Sequence, residues 1–181
     1  KYKLLIGAVV PRPIAWVTTV DKAGRVNAAP FSFFNCLSAE PAILALGVEY
    51  RPSGFSKDTG RNIRDTQAFT VNIVSGALMD AMNVTAVPFD AGVDELAHAG
   101  LRTRPGVKVP SPAIAESPAA FECRHHVTLS IGNSREIILG EVVYAHLHRG
   151  IVNERLHVDH VGLDAIGRMG GHGYATTRDY F

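Results

Sequence analysis

The sequence predicts a mainly β fold, an antiparallel barrel with short helices, in one domain spanning residues 1–181. Two observations lead there. Blocks rich in β-branched and aromatic residues recur along the chain, separated by Gly- and Asp-bearing turns. Helical periodicity, by contrast, is confined to brief stretches.

The elements follow in order. Ile14 to Val20 reads as a strand, Asp21-Lys22-Ala23-Gly24 as a turn, and Arg25 to Ala29 as the returning strand. Ala42 to Val48 and Ala68 to Val74 are the next strands. Two long β runs come late, Phe121 to Ile131 and Glu136 to His148, joined by the hairpin signal Gly132-Asn133-Ser134-Arg135. Asp58 to Thr66, Ala77 to Val84 and Val93 to Ala99 read as short helices, with Met79 and Met82 as core filling. Gly100 to Pro118 carries four prolines at 105, 110, 112 and 118 and reads as an irregular connection.

Composition narrows the function. A net charge of +1 gives no electrostatic case for nucleic acid or a membrane surface. No run approaches the roughly 18 apolar residues of a membrane span, and Leu4 to Val10, halted by Pro11, does not read as a signal peptide. Cys36 and Cys123 are isolated thiols that suit a reducing cytoplasm, and Cys36 reads by itself as a small buried side chain. GxGxxG, P-loop and GxSxG motifs are absent from the chain. The histidine pairs (His125/His126, His146/His148 and His157/His160) have no converging spacing, so no metal ligands are assigned.

Two segments carry candidate chemistry. Asn27 to Ser38 mixes three phenylalanines with Ser and Asn, a blend that suits a flat heterocycle. It equally suits a buried loop whose rings fill the core. Arg51 to Asn62 leads into a helix, where free N–H groups, Ser56, Lys57 and Thr59 could hold a phosphate. The alternative is an ordinary helix capped by Asp58 or Thr59. Together, a ring site and a single-phosphate site point to a mononucleotide.

The residues also resemble a known family. Pro11-Arg12-Pro13-Ile14-Ala15-Trp16-Val17-Thr18-Thr19, Asn27-Ala28-Ala29-Pro30-Phe31-Ser32-Phe33-Phe34-Asn35 and Lys57-Asp58-Thr59 with Asn62-Ile63 resemble motifs of flavin reductase-like proteins. So do Phe69-Thr70-Val71-Asn72, Ala81-Met82-Asn83, Gly92-Val93-Asp94-Glu95, Glu122-Cys123, Leu139-Gly140-Glu141-Val142, and Arg168 with Gly170, Gly171 and Tyr174. The matches run in order over nearly the whole chain.

That resemblance implies a Greek-key-like split β-barrel binding flavin mononucleotide (FMN). It also implies NADH or NADPH as a transient substrate, hydride transfer to flavin N5, and a homodimer with sites at the subunit interface. A partner oxygenase or redox protein would receive the electrons; an electron carrier of the flavoredoxin type is the alternative. Carried over by position, Ser32, Phe33, Phe34, Asn35 and Cys36 line the ring, and Lys57, Thr59, Arg51 and Ser56 hold the phosphate. Arg12, Thr18, Asp58, Asn62, Arg168 and Tyr174 complete the implied cofactor set without assigned roles, and no catalytic residue is named. Ser134 stands where short members of the wider family carry a His. The tail from Gly167 to Phe181, rich in glycine and aromatics, is expected to help close the site in the dimer.

Overall fold

The computed structural model describes residues 1–87, 89 and 93–179. Its centre is a seven-stranded antiparallel sheet. In chain order these strands are β2 (Ala15–Val20), β3 (Val26–Phe31), β4 (Phe34–Ala39), β5 (Ala42–Glu49), β6 (Ala68–Ile73), β9 (Ala119–Ile131) and β10 (Arg135–Leu147). Their spatial order is β3-β2-β6-β9-β10-β5-β4. The sheet curls until β3 packs against β5, and the Gly47 N–H donates to the Phe33 carbonyl at 2.7 Å. The result is the split barrel.

A smaller three-stranded sheet joins β1 (Arg12–Pro13), β11 (Ile166–Arg168) and β12 (Tyr174–Thr176). The two-residue strands β7 (Thr103–Arg104) and β8 (Ala113–Ile114) pair within the proline-bearing connection. The helices are α1 (Tyr2–Ala8), α2 (Asp58–Thr66), α3 (Met79–Thr85), α4 (Glu95–His98) and α5 (His160–Leu163).

The period of two along β2 explains the two cores. Ala15 and Val17 point into the barrel with Phe31, Leu46, Ile63, Phe69 and Ile138. Ile14 and Trp16 point the other way, to Val74, Met82, Leu96 and Ile166. All six residues of β2 are therefore buried, which is why its sequence carries no charged residue and shows no alternation of apolar with exposed polar residues. The Trp16 indole N–H donates to Thr85 Oγ1 at 2.9 Å, tying β2 to α3. Gly140 gives Phe69 its room: a Cβ there would lie 2.3 Å from the ring. On the outside of the barrel, Glu122 clamps the 100–118 connection. It accepts from the backbone N–H groups of Val107, Lys108 and Val109 and pairs with His146. Burial pushes its carboxyl up, but these donors outweigh burial and hold it below the usual carboxylate range.

Several expectations need correcting. The returning strand expected to end at Ala29 runs on to Phe31 as β3, and a further strand, β4, follows at Phe34–Ala39. As the edge strand, β4 has a burial pattern without clean alternation, so nothing in the sequence marks it. Cys36, read as buried, lies on this edge and is exposed, whereas Cys123 is buried. Residues 2–8 form a helix with no buried residue, an arrangement that the apolar stretch from Leu4 to Ala8 does not announce. The third expected helix is shorter, α4, N-capped by Asp94, whose side chain accepts from Leu96 and Ala97 N–H. Gly92 of the Gly-Val-Asp-Glu match, and Tyr180 and Phe181 of the tail, lie outside the described residues. Among the described residues, no helix is long and apolar enough to cross a membrane.

Candidate functional site

The fold brings the two candidate segments together. Strand β3 runs past the N-terminus of α2, and Asn27 Nδ2 donates to Thr59 Oγ1 at 3.2 Å. Between them opens a cleft of about 550 Å³. One wall is Asn27 to Phe31; another is Arg51, Pro52, Ser53, Lys57, Asp58 and Thr59. Thr85, Ala86, Val87, Phe89 and Glu95 close the third side. That volume lies within the range of small-molecule sites.

The α2 end of the cleft is rich in hydrogen-bond donors. The helix begins after Lys57, whose extended backbone (φ −63°, ψ 162°) is that of an N-cap, but no side chain caps it. The N–H groups of Asp58, Thr59 and Gly60 find no acceptor among the described residues. Expected as possible caps, Asp58 and Thr59 do other work. Asp58 pairs with Arg51 and Arg61, and Thr59 accepts from Asn27. Lys57 has no ion pair among the described residues, so its charge is available to the cleft.

A buried carboxylate supports this end from below. Glu136, 1% exposed on β10, accepts from Ser56 Oγ at 2.8 Å and pairs with Arg64 of α2. Gly60 lets the helix start sit that close, since a Cβ there would meet Glu136 Oε1 at 2.1 Å. Glu95 lies on the side of the cleft formed by α4, where it accepts from the Ala28 N–H at 3.3 Å. Burial raises its carboxyl above the ordinary glutamate value.

Not all the sequence-derived candidates meet in the cleft. Arg51, Lys57, Asp58 and Thr59 do. Ser56 turns under the helix to Glu136. Asn62 is buried and donates to Thr19, and Thr18 is buried between Thr70 and Pro112 carbonyls. Both are therefore part of the frame.

The aromatic run splits. Because side chains alternate and the chain turns between β3 and β4, only the residues through Phe31 face the cleft. Ser32 joins Arg12 and Arg168 in a second cavity of about 260 Å³. Phe33, Phe34 and Asn35 line a separate apolar groove with Tyr2, Leu5, Leu37 and Ile137. Arg135 lies over the Phe33 ring there, 4.4 Å from its centroid. Tyr174 stacks under Arg168 and donates to Asn83 Oδ1 at 2.6 Å. The sequence reading missed the wall from Thr85 to Val87, and it missed Glu95 as a cleft residue, although the Asp94-Glu95 pair at a helix start was a visible signal.

Comparison with known proteins agrees with this architecture. The family model described as flavin reductase like domain matches residues 7–163. An uncharacterized protein of Deinococcus radiodurans is 46% identical over 188 residues, covering 100% of this chain and 82% of its own. Among solved structures, nitrilotriacetate monooxygenase component B from Bacillus cereus is 30% identical with a TM-score of 0.94, over 99% of this chain and 91% of that one. The 2-nitrobenzoate 2-nitroreductase of Pseudomonas fluorescens is also 30% identical, with a TM-score of 0.89 over 99% and 87%.

Proposed function

The chain belongs to the flavin reductase-like family, and we propose that it is an FMN-dependent oxidoreductase reduced by NADH or NADPH. One observation carries the reading: uncapped N–H groups, Lys57 and Arg51 share one cleft with the apolar residues of β3. Held in this cleft, FMN would supply the two-electron redox chemistry. The chain's residues do the rest. Lys57, Thr59 and the first N–H groups of α2 hold the phosphate, because a helix start presents donors and positive potential. Asn27 fixes the Thr59 hydroxyl. Ala28 to Phe31 back the ring, while Ala86, Val87 and Phe89 exclude water from it. No acid–base side chain is needed for a hydride transfer, which fits a cleft with no nucleophile–base pair among the described residues.

The similarity to a monooxygenase component B supports a partner oxygenase as the electron acceptor; the homodimer that the sequence resemblance implies is part of the proposal. A second reading, an electron carrier that does not use nicotinamide nucleotides, is favoured by one feature. The exposed turn at Gly132–Ser134 carries Ser134 where short members of the family place a His.

Anaerobic mixing of the FMN-loaded protein with NADH or NADPH separates the two. Bleaching of the flavin band within seconds is the expected result. Bleaching by dithionite alone would select the carrier.

A further inference from the structure

Arg12 and Arg168 stand directly opposite one another across the β1–β11 pair. Like charges facing across an antiparallel pair are destabilising unless something neutralises them. Nothing among the described residues does so. Neither arginine has a carboxylate partner, although every ion pair formed elsewhere around the cleft uses one.

Arg12 is only 6% exposed. Its guanidinium donates to the carbonyls of Ile6 and Val9 at 2.7 Å, to Met169 at 3.2 Å and to Ser32 Oγ at 3.4 Å. All four acceptors are neutral. The C-terminal end of α1, which supplies one of them, offers about half a negative charge at best, against two full positive ones. Arg168 donates to the Gly171 carbonyl at 2.7 Å and lies 4.7 Å above the Tyr174 ring centroid, again with no counter-charge.

Both guanidiniums line the 260 Å³ cavity, which shares Pro30, Phe31 and Ala86 with the main cleft. It thus adjoins the Phe31 end of β3. Asn27, at the other end, is bonded to Thr59; four residues of strand put about 13 Å between them. Arg12 is locked by its carbonyl partners, so its remaining donor is held in place before any ligand arrives. Arg168, with one donor committed to the Gly171 carbonyl, can present a planar fork, which suits a carboxylate better than it suits a point anion.

We propose that the Arg12–Arg168 cavity is a subsite for the carboxylate of a small organic acid that meets the ring in the neighbouring cleft. The proposal rests on the FMN reading for that meeting, but the anion site itself does not. It makes the small molecule exchanging electrons with this protein an organic anion.

Calorimetric titration with benzoate, and with benzamide as its neutral isostere, tests the site on FMN-loaded and flavin-free protein. Benzoate should bind, more weakly as salt rises, and benzamide at least about tenfold more weakly than benzoate. Arg168→Gln should cost benzoate at least about tenfold while the FMN dissociation constant stays put; Arg168→Lys, which keeps the charge, should recover part of the loss. Equal binding of both probes, or binding of neither, would overturn the subsite. So would an Arg168→Gln variant that loses FMN in step with benzoate, since the pair would then serve the flavin. If FMN fails to bind while flavin-free protein still selects benzoate, the subsite stands and the flavin reading falls.

Discussion

The two ends of one sequence motif teach different lessons. Asn27 to Phe31 and Ser32 to Cys36 are consecutive halves of one segment, the first carrying a single phenylalanine after Ala, Ala and Pro, the second two phenylalanines among Ser, Asn and Cys. The first half lines the cleft and is tied through Asn27 to the start of α2. The second half crosses from β3 to β4 and sends its side chains to three places: Ser32 to the arginine cavity, Phe33 to Asn35 to a separate apolar groove, and Cys36 to solvent. Chemistry at residue level is therefore not what selects a ligand-facing residue here. Register and the turn decide it.

The largest effect that separates the two regions should come from beneath the cradle. Glu136→Gln removes the charge that Arg64 and Ser56 share. Because the Arg64 head is partly exposed, the loss should be that of a charged hydrogen bond, about 1.5–3 kcal/mol, read by thermal unfolding. FMN affinity should fall with it, since the α2 start shifts. A lowered melting point with unchanged FMN affinity would separate the cradle from its support.

Phe33→Ala probes the other region. It strips the ring from under Arg135, at a cost of about 1–2 kcal/mol in stability. FMN affinity, measured by fluorescence quenching, should hold within about twofold. A tenfold loss would return Phe33 to the ring site.

The smallest effect concerns Glu95. Its folded-state carboxyl is raised by burial, so its contribution to stability is fully present below the unfolded value of about 4.3 and lost as pH rises through the raised one. Glu95→Gln should therefore make the flavin-free protein slightly more stable near neutral pH, by less than about 1 kcal/mol, and flatten that stretch of the stability–pH curve. Stability curves of wild type and variant that run parallel from pH 4 to 7 would remove this role.

Much of the fold was legible because its signals are local. β2 and β6 are uncharged runs rich in β-branched and aromatic residues, and the Asp21–Gly24 turn is fixed by Asp21 accepting from the Ala23 and Arg25 N–H groups, with Gly24 at φ 80°. The α2 helix spans the predicted residues, Asp58–Thr66. β4 was illegible because an edge strand exposed along most of its length need not alternate. Of the site, the Arg51–Thr59 end was readable from its donors. The Glu136–Ser56–Arg64 support was not, because its members lie 72 and 80 residues apart and only the β10 register unites them. The opposition of Arg12 and Arg168 is likewise a product of strand pairing across most of the chain.

The central claim is that the α2 start holds a phosphate while β3 backs a ring. It is tested most directly by comparing FMN with riboflavin, which lacks the phosphate, on Lys57→Ala. FMN affinity should fall about tenfold or more, the loss of one charge-assisted hydrogen bond, while riboflavin affinity should be unchanged. Equal losses for both ligands would contradict the phosphate assignment.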